Sequence, residues 1–148
     1  MDSFQSRLDL LLEDLEALEN WRERFEFIID LGRDLDSKSF PETARIPENL
    51  VRGCTSQVWL ISEKTPEGAL HLQADSDALF SKGLISLLLQ VYSDLTPQEI
   101  LDHPPLFLKE TGLLDNLTPS RSNGVASMAE LIREHARRLL SSESSRNT

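Results

Sequence analysis

The sequence predicts a single α+β domain in which helices pack against a small antiparallel sheet. Three observations predict it: a hairpin pattern across residues 57–74, apolar stripes at helical spacing on either side, and one stretch, residues 78–93, that is apolar nearly all round. At 148 residues the chain is long enough to bury one core, and no linker divides it. One domain over residues 1–140 is therefore expected, with 141–148 as a short polar tail expected to be disordered.

The elements follow in order. Phe4, Leu8, Leu11, Leu12, Leu15 and Leu18 predict a helix over residues 4–18, with Asp9, Glu13, Asp14 and Glu16 on its outer face. Asn20 is a candidate N-cap for a second helix from Trp21, with Glu23 three residues on, in the manner of a capping box. Trp21, Phe25, Ile28, Ile29 and Leu35 are its expected buried stripe. Pro41 and Pro47 make residues 36–49 a loop, leading into a short extended piece at 50–52. A strand over 57–64, a turn at Thr65-Pro66-Glu67-Gly68, and a strand over 69–74 form the hairpin, with Leu70, Leu72 and Ala74 on one face. Asp75-Ser76-Asp77 is expected to end that strand and to cap the next helix.

The helix over 78–93 carries Leu79, Phe80, Leu84, Ile85, Leu87, Leu88, Leu89 and Val91, and so is expected to be central. Gly83 lies inside it at a cost of about 1 kcal/mol relative to alanine, which suggests the close approach of another backbone. Thr96-Pro97 starts a short helix stopped by His103-Pro104-Pro105, and another short helix around 106–111 ends at Gly112. Residues 117–124, dense in turn and capping residues, feed a last amphipathic helix over 125–140.

Composition narrows the function classes. A net charge of −10 argues against a nucleic-acid backbone or an anionic membrane as the main partner. No apolar run approaches the roughly 20 residues that span a bilayer. Residues 1–6 lack a basic segment leading into a signal-peptide core. A cytoplasmic location is expected, or the reducing stroma of an organelle if a transit peptide has been removed. The single cysteine excludes an internal disulfide, a cysteine-rich zinc site and a complete iron–sulfur ligand set from this chain alone.

That cysteine, Cys54, lies in Val51-Arg52-Gly53-Cys54-Thr55-Ser56-Gln57-Val58-Trp59, a tight turn entering a strand. His71, His103 and His135 are scattered, with no ligand spacing to one another or to Cys54, so no metal site is expected. The glycines are isolated and form no phosphate-binding loop. Hydrolytic catalysis would need a histidine beside the thiol, with His71 and His103 as the candidates. Sulfur chemistry needs less: an accessible thiol that attacks a sulfur–sulfur bond and retains a persulfide. Gly53 permits close approach of a partner, and Arg52 or a folded-in Arg121 could supply positive charge.

Gly53-Cys54-Thr55-Ser56-Gln57-Val58-Trp59 resembles the sulfur-acceptor signature of the SufE family, whose close relatives include CsdE. Ala74-Asp75-Ser76-Asp77-Ala78, Lys82-Gly83-Leu84-Ile85, Leu95-Thr96-Pro97-Gln98-Glu99-Ile100 and Leu117-Thr118-Pro119-Ser120-Arg121-Ser122-Asn123-Gly124 resemble that family's later blocks, in order and at suitable spacing. The resemblance implies a fold similar to IscU-type scaffold proteins. It also implies a sulfur acceptor and carrier rather than an enzyme, activating a PLP-dependent cysteine desulfurase of the SufS/CsdA type. Sulfur would pass to an iron–sulfur assembly scaffold such as SufBCD. The acceptor falls on Cys54, the motif arginine on Arg121 and the motif aspartate on Asp75; Gly53 and Ser56 support the acceptor turn. The chain itself is expected to hold no cofactor and no metal, PLP belonging to the partner, and homodimer formation is left open. A helix cap is the expected role of Asp75 and Asp77, and a core position that of Trp59. Two rivals stand beside this reading: a stand-alone cysteine hydrolase and a non-catalytic interaction domain.

Overall fold

The computed structural model describes residues 3–146. Six α-helices and a two-stranded antiparallel sheet make up the described architecture, confirming the α+β class. Helix α1 spans Phe4–Glu16 and is capped by Ser3, whose hydroxyl accepts from the Ser6 N–H while the Ser6 hydroxyl accepts from the Ser3 N–H. Helix α2 spans Trp21–Asp34, and the Asn20 side chain accepts from the Glu23 N–H at 2.9 Å, as its sequence signal requires. The Glu23 carboxylate reaches the N–H of Glu19 rather than that of Asn20, so the box closes one residue early. Of the stripe expected on α2 only Ile28 is fully buried; Trp21, Phe25, Ile29 and Leu35 are half-buried. Gly32 is the other buried position, and it explains the difference. The helix meets its neighbour backbone to backbone, and the large side chains flank that contact.

After two single 3₁₀ turns, Glu42–Ala44 and Pro47–Asn49, come strands β1, Val58–Lys64, and β2, Leu70–Ser76. Their register runs from Val58 opposite Ser76 to Lys64 opposite Leu70. Gly68 takes φ +85° in the connecting turn, where its N–H bonds to the Thr65 carbonyl. Leu70, Leu72 and Ala74 are buried as the alternation predicts. Strand β2 runs two residues past its expected end, because Asp75 and Ser76 pair with Trp59 and Val58.

Helix α3, Leu79–Tyr92, is the centre of the molecule and touches α1, α2, β2 and the last helix. Leu84, Ile85, Leu87, Leu88 and Val91 are each at most 3% exposed. The close approach expected at Gly83 is present: a Cβ there would overlap the Ile28 carbonyl oxygen on α2, and one on Gly32 would overlap the Leu79 carbonyl oxygen. Helix α4, Pro97–Asp102, is capped by Thr96, and α5, Phe107–Glu110, is followed by Gly112 at φ +73°.

Helix α6 runs over Pro119–Arg146 and corrects the expected boundaries at both ends. Thr118 accepts from the Arg121 N–H at 3.3 Å and Pro119 takes the first position, so the block read as a turn is a cap and the first turns of the helix. At the other end the tail expected to be disordered is helical to Arg146, and Glu143 lies 3.4 Å from Lys64 of β1. The last residues of that tail, 147–148, lie outside the described residues.

Gly83→Ala is expected to destabilise the fold by about 2 kcal/mol, overpacking at the α2–α3 crossing exceeding the ~1 kcal/mol gain in helix propensity. Urea unfolding of the two proteins measures it, and a stabilised variant would contradict the crossing.

Candidate functional site

Cys54 sits in an excursion closed at its base by pairing. Leu50 forms an antiparallel bridge with Trp59, and the Val51 N–H donates to the Val58 carbonyl at 2.8 Å. The chain leaves and re-enters the edge of β1 within a few residues, and Gly53 at φ +92° makes the reversal. A Cβ on Gly53 would lie 2.9 Å from the Ser127 hydroxyl of α6, so the turn also presses on that helix. On the far side of the thiol, Ser56 and Ser81 of α3 share a hydrogen bond of 2.6 Å. The Gln57 N–H donates to Asp77 at 3.0 Å, and the Gln57 carbonyl accepts from the Ser76 hydroxyl at 2.7 Å. The loop is held at both flanks.

The thiol itself is half-buried, and it donates to the Gly124 carbonyl oxygen of α6 across 3.7 Å. Burial raises the Cys54 pKa above the ordinary cysteine value, since desolvation disfavours the thiolate. An open groove of about 410 Å³ lies alongside, lined by Pro47 and residues 50–57. None of the histidines supplies a base. His71 bonds Asp94 at 2.8 Å, and its register position opposite Glu63 is five steps, about 17 Å, from the Val58–Ser76 pair. His103 stacks on Phe4 and meets the Glu99 carbonyl, while His135 meets the Ser62 hydroxyl. This geometry disfavours the hydrolase reading.

The supporting residues fare differently. Gly53 and Ser56 belong to the loop as described. Arg121 is exposed in the first turn of α6, with its guanidinium 4.4 Å above the ring of Phe80 on α3. It stands one turn before Gly124, on the helix face that meets the thiol. Asp75 is a correction. It caps no helix: α3 starts after Ala78 without any side-chain cap, and Asp75 points away into a charged cluster. Its carboxylate, 4% exposed, accepts from Arg45 and from Ser37 (2.7 Å), with the Lys82 ammonium 3.7 Å away. Arg45 also reaches Glu42 and the Ser37 carbonyl and lies over Phe40 and Trp59. Asp77, also expected as a cap, spends its carboxylate on the acceptor loop instead. Trp59 is core at 9% exposure, as expected.

Comparison with known proteins now decides the family. A family model described as SufE, Fe-S metabolism associated domain, matches residues 9–136. The chain belongs to the SufE family. Its association is thus with iron–sulfur metabolism. An uncharacterized SufE-like protein of Rhizobium etli is 40% identical over 139 residues, covering 90% of this chain and 92% of that one. The solution structure of a hypothetical protein from Thermus thermophilus superimposes with a TM-score of 0.74 at 20% identity, over 91% of this chain and 96% of the other, and shows the shared fold. Among the described residues no helix is long and apolar enough to cross a membrane.

Within this SufE-family chain, the sequence reading missed Gly124, Ser81, Ser127 and the Ser37–Arg45 partners of Asp75. Gly124 carried a signal. Thr118-Pro119 repeats the Thr-Pro start recognised at Thr96-Pro97, and starting α6 there places a glycine inside a helix, where it needs a reason. The loop residues Ser37 and Arg45 carried none.

Burial favours a neutral Asp75, but the hydrogen bonds from Ser37 and Arg45 outweigh it and hold the carboxyl below the usual aspartate range. Its contribution is therefore fully present above that range and lost as pH falls through the depressed native value. Asp75→Asn is expected to cost about 3 kcal/mol near neutral pH, and the gap to the unaltered protein should close on acidification. Urea titrations from pH 7 to pH 3 measure both; a pH-independent gap would contradict the charged pair.

Proposed function

We propose that this chain accepts sulfur on Cys54 from a PLP-dependent cysteine desulfurase of the SufS/CsdA type, stimulates that enzyme, and delivers the sulfur to an iron–sulfur assembly scaffold such as SufBCD. The observation that carries the reading is the placement of Cys54, a thiol with no histidine beside it, on a loop sheltered by α6 and bordered by an open groove. Such a thiol needs no dedicated histidine: its proton passes to water as it ionises outside its shelter, and the donor's thiolate is then a good leaving group from the attacked sulfur–sulfur bond.

The Cys54 thiolate attacks the terminal sulfur of the donor's persulfide. The bond between the donor's two sulfurs breaks, a bond forms between Cys54 Sγ and the terminal sulfur, and the donor cysteine departs as a thiolate. Atoms and electrons balance without an external oxidant. A second attack by a recipient thiol on the Cys54 persulfide restores the starting thiol. Gly53, Thr55 and Ser56 suit a loop that moves between sheltered and extended positions, with the Ser56–Ser81 bond yielding as it extends. Arg121, on the same helix face, lends positive charge to sulfur brought out of its shelter. Asp75 has a supporting role through the loop at Ser37 and Arg45. The chain holds no cofactor of its own in this scheme, PLP staying with the desulfurase, and a reducing compartment such as the cytoplasm keeps the thiol free.

Incubation of the reduced protein with a cysteine desulfurase and L-cysteine, followed by mass spectrometry without reductant, is expected to show one or more added sulfur atoms on the Cys54 peptide. Reductant should remove them, Cys54→Ser should abolish them, and desulfurase turnover should rise with the unaltered protein only. Uptake that survives in Cys54→Ser, or its absence with several desulfurases each active alone, would overturn the proposal.

A further inference from the structure

We propose that Gly124 is a positioning residue for the acceptor thiol: its missing side chain is what lets Cys54 seat against α6, in a position that admits the thiol and excludes the thiolate. The inference rests on Cys54 being the sulfur acceptor and adds a control on its reactivity.

Two observations carry it. A Cβ built on Gly124 would lie 3.3 Å from Cys54 Sγ, 3.9 Å from its Cα and 4.0 Å from its Cβ. The last two are ordinary contacts; the first is tighter than packed carbon atoms normally make with a neighbour. Sγ is therefore the one atom that a side chain at Gly124 would have to push aside, by a few tenths of an ångström, inside a helix where alanine would otherwise be preferred. Second, Sγ meets a carbonyl oxygen, that of Gly124, to which it can only donate. A thiolate in the same place would have no proton to give and would face the oxygen's lone pairs. Gly124 also lies past the first turn of α6, beyond the unbonded N–H groups that stabilise a thiolate at a helix start.

The charged groups around the thiol do not reverse this. Asp77, at the entrance to α3, is engaged with the Gln57 N–H, and Arg121 on α6 lies over Phe80. Arg52, on the loop itself, is exposed. Ionisation is thus tied to departure from the seat. The resting thiol is slow toward small reagents, and a partner that draws the loop outward activates the nucleophile by the same movement.

The experiment measures alkylation of Cys54 by iodoacetamide between pH 6.5 and 10 in the full chain, in Gly124→Ala and in Gly124→Val. Each substitution should displace Sγ, raising the rate near pH 7.5 about five- to tenfold and moving the midpoint of the pH profile down toward that of an ordinary cysteine. Rates and midpoints unchanged in both variants would overturn the proposal. A variant that folds poorly is resolved by a double substitution. With Cys54→Ala in the background, Gly124→Ala should raise the urea midpoint, since the clash is gone and helix propensity remains; no such gain would also overturn it. The two readings separate cleanly. Sulfur uptake with unaltered alkylation would leave the carrier function standing without the seat, and faster alkylation in a chain that takes up no sulfur would do the reverse.

Discussion

A helix that is apolar nearly all round has little face to give to water, and α3 imposes that constraint on everything around it. Its residues from Gly83 to Leu88, with Val91 and Tyr92, are buried, so cover must come from several directions: α1 and α2, the sheet through β2, and α6. Two strands are too few to stand alone and become stable only as one wall of that enclosure. Glycines at the α2–α3 crossing bring the helix axes together, and the aromatic residues of α2 are pushed to the margins of the contact.

The acceptor loop exploits the corner where three of these covering pieces converge. Strand β1 supplies its base, the entrance to α3 holds it through Ser81 and Asp77, and α6 supplies the surface against which the sulfur rests. No single element defines the environment of Cys54. The Asp75 cluster works one layer below, fastening the long loop through Ser37 and Arg45 against Trp59, the residue that pairs with Leu50 where the acceptor excursion closes. A buried ion pair is weak evidence for net stability, and its value here is geometric: it gives a loop with little apolar content one defined path.

Much of this was legible in the residue pattern, and the division follows the range of the interactions. Helix starts with a local chemical signal were readable, as at Asn20 and Thr96, because the cap and the amide it serves lie three residues apart. The hairpin was readable from alternation and the Thr65–Gly68 turn. Cys54 stood out through its uniqueness, and Gly83 as a glycine where a helix disfavours one. What could not be read depends on pairing at long separation. Asp75 and Asp77 have ideal cap chemistry, but β2 runs through Asp75 to Ser76 because Trp59 and Val58 are opposite, and Ser37 and Gln57 then claim the carboxylates of Asp75 and Asp77. The early start of α6 was visible in Thr118-Pro119 and was obscured by the turn-like composition that follows. The helicity of residues 141–146 has no apolar periodicity to announce it.

The contact between Cys54 and Gly124 joins residues 70 positions apart. Closing so long a loop is entropically costly and comes late unless other contacts have already been made. During synthesis the thiol leaves the ribosome well before the helix that shelters it, so a nascent or truncated chain carries the cysteine bare. Shelter of the sulfur is thus a property of the completed chain alone, and chemical protection arrives together with the finished fold.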